Sequence, residues 1–80
     1  MKVLKFYSDT CGPCKVLTKT LEPVKDQITE VNVFEDMDLA QQYGVRKVPT
    51  TVFIDDNNQE VSRIVGTYTL EEYHESYLER

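Results

Sequence analysis

The chain has 80 residues, a net charge of −5, 40% hydrophobic residues and 29% charged residues. This leaves room for one core and not two; the composition is too apolar for a disordered chain and lacks the basic stripe that a nucleic-acid partner requires. No apolar run approaches a membrane span, and Met1-Lys2-Val3-Leu4-Lys5 lacks the apolar stretch and cleavage site of a secretory leader, so the expectation is a single cytoplasmic domain over residues 1–80, with no nucleic-acid or membrane partner and acting as a monomer.

Lys2 to Tyr7 reads as a strand, nearly continuous in apolar character apart from Lys5, which suits a strand covered on both faces. A turn follows, and a helix starts near Gly12 or Pro13, because proline is favoured in a first helical turn. Val16, Leu17, Thr20, Leu21 and Val24 keep helical spacing. Pro23 interrupts that pattern, and a kink rather than a stop is expected because the spacing resumes through Val24 and Ile28. Ile28 to Phe34 alternates as a second strand. Asp36 can cap a short helix over Met37–Tyr43, with Leu39, Ala40 and Tyr43 inward and Gly44 as its stop.

Val45–Thr50 reads as a loop and Thr51–Ile54 as a third strand. The cluster Asp55–Gln59 turns the chain into a fourth strand, Glu60–Val65, making a hairpin broken by Gly66. Thr69 and Glu72 form a capping box ahead of a last helix that turns Leu70, Tyr73, Tyr77 and Leu78 inward. The order βαβ, α, ββα implies an α/β fold: a four-stranded mixed sheet, its first two strands parallel, flanked by three helices.

Both cysteines lie on the strand-to-helix turn, in Cys11-Gly12-Pro13-Cys14. In disulfide exchange the nucleophile is the thiolate, and a helix N-terminus lowers a thiol pKa. Cys11 is placed for that, and Cys14, one turn on, faces back toward it from deeper in the fold. Access then divides the labour: Cys11 attacks a substrate disulfide and Cys14 resolves the mixed disulfide, leaving a Cys11–Cys14 bond. Gly12 and Pro13 shape the turn and leave room for a substrate chain. Three other readings compete. A structural disulfide closing about four residues contributes only about 2 kcal/mol. A metal knuckle needs two further ligands, and the only soft candidate is His74, placed on the surface of the last helix. Two inert buried thiols would sit in mid-core rather than on a turn.

With Cys11-Gly12-Pro13-Cys14-Lys15, Phe6-Tyr7-Ser8, Pro23, Leu39-Ala40-Gln41-Gln42-Tyr43-Gly44-Val45, Val48-Pro49-Thr50 and Val65-Gly66-Thr67 in this order, the chain resembles the thioredoxin family over nearly its whole length. The resemblance implies a cis bond before Pro49, with Pro49 facing the Cys11 sulfur. It implies a substrate groove built from Thr10, Gly12, Pro13, Val48, Pro49, Gly66 and Thr67, in which the Val48 backbone pairs with an extended substrate segment. An ordinary trans proline at Pro49 and a plain strand breaker at Gly66 are the alternatives.

The departures carry information too. The first strand and helix of full-length members have no counterpart, which makes this a compact version near glutaredoxin size. Thr10 stands where the family usually has tryptophan. Lys5 stands where it carries a buried aspartate beneath the second cysteine, and Glu30 where it carries the lysine partner. A lone buried ammonium is costly, so two outcomes are open: Lys5 pairs with Glu30 across the first two strands beneath Cys14, or it snorkels to the surface.

By resemblance the function is protein dithiol–disulfide oxidoreduction without a cofactor or metal, on protein disulfide substrates, with electrons from a thioredoxin reductase. Ribonucleotide reductase is one client class the family implies. The alternatives are a glutaredoxin-like protein drawing on glutathione, against which stand Gly12-Pro13 in place of Pro-Tyr and the lack of a glycine pair with an acidic residue after Gly66, and a scaffold module, which has no use for an intact cysteine pair.

Overall fold

The computed structural model describes residues 1–78, apart from the side chain of Leu78, so the inward placement expected of Leu78 lies outside the described residues. The strands are β1 (Lys2–Tyr7), β2 (Ile28–Asn32), β3 (Thr50–Ile54) and β4 (Glu60–Val65); the helices are α1 (Gly12–Thr20), α2 (Met37–Gln42) and α3 (Leu70–Leu78). The sheet runs β2-β1-β3-β4, with β1 parallel to β2 and antiparallel to β3, and β3 antiparallel to β4. This is the expected mixed four-stranded sheet. β1 is interior to it, which is why its run is apolar on both sides.

Alternation along β1 divides the core. Val3 packs with Phe53 under Leu17, Leu21, Val24, Tyr68 and Tyr73, so α1 and α3 cover that face. Leu4 and Phe6 pack with Val31, Val52, Ile54 and Ala40, so α2 covers the other. Asp36 caps α2 by accepting the Leu39 N–H at 3.2 Å. The Thr69–Glu72 capping box closes reciprocally: Thr69 N–H donates to Glu72 Oε1 at 2.9 Å and Glu72 N–H to Thr69 Oγ1 at 3.1 Å.

Three local expectations are corrected. Pro23 does not kink a continuous helix. α1 ends at Thr20, and Glu22–Gln27 forms a separate 3₁₀ segment with a non-helical residue, Val24, inside it (φ −119°, ψ 17°). The cause is that proline has no N–H for the carbonyl four residues back and its ring crowds that turn. Val16 is not on the buried face: it is 58% exposed, because Leu17, Leu21 and Val24 form the inward stripe and Val16 is rotated off it. β2 stops at Asn32 rather than Phe34. The Asn32 side chain accepts the Phe34 N–H at 2.9 Å and turns the chain, leaving Phe34 exposed. Smaller differences lie at element ends, where Tyr43 caps α2 rather than extending it and β3 begins at Thr50.

Candidate active site

The site begins where β1 hands the chain to α1. Cys11 is the N-cap of α1, in extended conformation, and its sulfur accepts the Cys14 N–H at 3.1 Å. A cap is where the first N–H groups of a helix are left without partners, so the sulfur sits in the field of unpaired donors and the positive end of the helix dipole. Pro13 occupies the first turn, where its missing N–H costs nothing. Cys11 and Cys14 are joined by a disulfide, with Cα atoms 5.2 Å apart. Cys11 is 9% exposed and Cys14 2%; Thr10, Gly12 and Pro13 beside them are exposed. A Cβ built on Gly12 would meet no atom within 4 Å, so that side of the turn is open.

The loop before β3 comes up against the sulfur. The Val48–Pro49 peptide is cis. The Val48 carbonyl oxygen lies 3.6 Å from Cys11 Sγ, and Pro49 is buried. The Pro49 carbonyl accepts the Gly66 N–H at 2.8 Å, which fastens the end of β4 to the same loop. Gly66 sits at φ 96°, a region closed to most side chains, and the exposed Thr67 follows it. The structure thus links Cys11, Val48, Pro49 and Gly66 in one chain of contacts, with Thr10, Gly12, Pro13 and Thr67 flanking it.

Under α1 lies Lys5, 1% exposed. In the sheet it stands directly between Glu30 on β2 and Thr51 on β3. Its Nζ is 3.4 Å from Glu30 Oε2 and 5.9 Å from the centre of the Tyr7 ring, so the ammonium turns inward and does not snorkel. It also donates to Thr18 Oγ1, and that hydroxyl donates to the Cys14 carbonyl at 3.0 Å. Thr18 is the residue that sequence reasoning missed.

Thr51 is occupied from the other side, its hydroxyl accepting from Tyr68 Oη at 2.8 Å. Burial pushes the Tyr68 phenol up to about 12, with the Thr51 hydrogen bond working the other way. No buried side-chain polar atom lacks a partner among the described residues, so the polar row under α1 leaves no buried group unsatisfied. Among those residues no group of three or more His, Cys, Asp or Glu is arranged to hold a metal ion, and His74 lies exposed on α3 against the edge of Tyr73.

A cysteine pair on a helix cap, a cis-proline loop against its sulfur and a βαβ-ββα frame define a class of thiol–disulfide protein. The Thioredoxin family model matches residues 1–78, and the chain belongs to that family. It is 36% identical over 66 residues to the SPbeta prophage-derived thioredoxin-like protein YosR of Bacillus subtilis (strain 168), across 82% of each chain. It is 36% identical over 69 residues to a thioredoxin of Chlamydia caviae, across 80% of this chain and 67% of that one. Among solved structures, a mutant thioredoxin from Halobacterium salinarum NRC-1 matches with a TM-score of 0.81 and 36% identity, covering 98% of this chain and 74% of that one. The thioredoxin of Fasciola hepatica matches with a TM-score of 0.84 and 26% identity, covering 98% and 79%. Family and paired cysteines together make the chain a dithiol–disulfide oxidoreductase.

Proposed function

We propose that Cys11 is the attacking cysteine and Cys14 the resolving one. The supporting observation is the helix cap: Cys11 Sγ holds the dipole end and the Cys14 N–H, and it is the more accessible of the two sulfurs. In the reduced protein the Cys11 thiolate attacks a substrate disulfide. A Cys11–substrate bond forms, and one substrate sulfur leaves as thiolate and takes a proton. Cys14, deprotonated, then attacks the Cys11 sulfur. The Cys11–Cys14 bond forms, and the second substrate sulfur leaves as a thiol. Two electrons have passed to the substrate, and a dithiol reductase or glutathione returns them.

Thr10, Gly12, Pro13, Val48, Pro49, Gly66 and Thr67 form the groove around the sulfur, where the Val48 backbone takes an extended substrate segment as an added strand. Lys5, balanced by Glu30, supports the pair from below, since a cation near a thiol favours its thiolate. The substrates are protein disulfides, the chain acts as a monomer in the cytoplasm as an electron carrier, and thioredoxin reductase is the electron source, supported by the Gly12-Pro13 pair between the cysteines.

The test is insulin reduction, run once with thioredoxin reductase and NADPH and once with glutathione and its reductase, together with trapping by variants. Turnover with the first system is expected, and turnover with glutathione alone would transfer the reading to a glutaredoxin-like cycle. Cys14→Ser should accumulate a mixed disulfide on Cys11, whereas accumulation on Cys14 in Cys11→Ser and none in Cys14→Ser would reverse the assignment.

A further inference from the structure

The ammonium under α1 makes one contact that the cycle above leaves unused. A hydroxyl has one proton to give. Thr18 gives its proton to the Cys14 carbonyl, so toward Lys5 it can only accept, and an ammonium is the donor that fits. Lysine has a flexible four-carbon stem, and its other anchor, Glu30, is on the edge strand with its side chain half in solvent. Held by Glu30 alone, the ammonium would drift toward the sheet edge. Thr18 holds it on the face of α1 that carries Cys14, because residues four apart on a helix stack on one side.

We propose that Thr18 is a positioning residue for Cys14: it fixes the Lys5 ammonium beneath the resolving cysteine, so that a positive charge faces that thiol. This rests on the reading of Cys14 as the resolving residue. The groups around Lys5 are Glu30 from β2, Tyr7 from β1, Thr18 from α1, and Thr51 from β3, whose hydroxyl is taken by Tyr68; Cys14 is reached through Thr18, whose hydroxyl bonds its carbonyl. Glu30 is the one carboxylate among them, and it binds Lys5 from the edge of the sheet. A fixed cation in a poorly solvated site favours the nearby thiolate. Only the reduced protein has a thiolate there, so the same contact favours the dithiol over the disulfide. Thr18 therefore sets both how readily Cys14 resolves a mixed disulfide and how strongly the reduced pair is held.

The experiment compares the native chain with Thr18→Val, which keeps the shape and removes the acceptor, and Thr18→Ser, which keeps the hydroxyl. In the reduced protein Cys11 is first blocked with iodoacetamide, and the ultraviolet absorbance of the remaining thiolate is followed against pH. Thr18→Val is expected to raise the Cys14 midpoint by about half a pH unit. At a pH above the Cys14 midpoint, it is also expected to move the unblocked protein's equilibrium with glutathione about threefold toward the Cys11–Cys14 disulfide. Thr18→Ser is expected to restore both values. A Thr18→Val midpoint equal to or below the native one, or a serine variant that behaves like valine, overturns the proposal. Neither readout depends on protein substrates, so failure of the native chain to reduce insulin would count against the proposed function while leaving this result to be judged by itself.

Discussion

The two faces of the sheet are built differently. The face under α1 and α3 has two helices, the aromatic residues Phe53, Tyr68 and Tyr73, and a polar row through Glu30, Lys5 and Thr51. The face under α2 has a helix of six residues and an apolar cluster in which Phe6 is the one ring among the fully buried side chains. The redox pair is carried by the helix that covers the thicker face. The difference teaches where a small domain can place a charge. Lys5 is tolerable because the hydrophobic contacts around it are numerous and its ammonium is bonded on two sides. The thinner face has no such reserve and admits no buried charge on β1, whose Lys2 on that side is exposed.

Truncation of each face should therefore cost differently. Phe6→Ala removes the ring that packs on Tyr43 at a centroid distance of 6.1 Å and leaves a void that a single short helix closes poorly. The expected cost is about 3–5 kcal/mol, comparable with the whole stability of a domain of this size, so the variant should be largely unfolded at room temperature. Leu17→Ala, on the thicker face, should cost about 2–4 kcal/mol, with Leu21, Tyr73 and Val24 able to settle inward. Urea unfolding followed by circular dichroism measures both. If Leu17→Ala proved the more damaging, the thicker face would have no reserve and the contrast would be wrong.

Alkaline pH attacks the thicker face selectively. Burial raises the Tyr68 and Tyr73 phenols to about 12, from an ordinary value of 10; beside Tyr73, Tyr77 and Tyr68 push the same way. A raised phenol pKa means that the folded state holds the proton more tightly than the unfolded one. The stabilisation is complete below about pH 10 and is lost as pH climbs from about 10 toward 12. The urea midpoint should be flat between pH 7 and 9 and fall steeply above pH 10. Tyr68→Phe, which cannot ionise, should make that fall shallower even if the lost Thr51 hydrogen bond lowers the plateau. A variant whose midpoint falls as steeply as the native one would show that these phenols do not carry the alkaline limit.

Much of this contrast was legible in the residue pattern. An apolar run, one alternating stretch and turn chemistry located all four strands, and the Thr69–Glu72 and Asp36 caps located two helix starts, because each depends on near neighbours in the chain. The loop against the disulfide came from resemblance rather than from spacing, since nothing local in Val48-Pro49 specifies contact with a sulfur 37 residues earlier. Pro23 and Phe34 misled for a common reason. A hydrophobic period continued through both, but a backbone N–H decided the outcome: its absence at Pro23, and its capture at Phe34 by the Asn32 side chain. Lys5 with Glu30 could be anticipated as a pair from the family's residues at those positions, and parallel register puts them opposite one another. Thr18 could not, because its partner came into reach only through the packing of α1 on the sheet.

The smallest expected effect separates the faces most finely. Asp36 and Thr69 do the same job, each accepting an N–H in the first turn of its helix, and removing such a cap costs about 1 kcal/mol. The two losses should be felt differently. α3 shares its face with α1, and Tyr73 holds it there by packing on Phe53 at 5.6 Å and donating to Gln27 at 2.8 Å, so fraying in Thr69→Ala should stop within the first turn. α2 is six residues long and, among the described residues, is the only helix on its face, so its cap supports a large part of its hydrogen bonding. In Asp36→Ala the amide of Ala40, which bonds to the Asp36 carbonyl at 3.2 Å, should exchange about fivefold faster, the factor that about 1 kcal/mol implies, together with the Tyr43 and Val45 amides that close the helix. The β3 amides should keep their native rates. In Thr69→Ala the amide of Tyr73, bonded to the Thr69 carbonyl at 3.0 Å, should change less than twofold. Equal acceleration in the two helices would mean that a second covering helix lends α3 no local support.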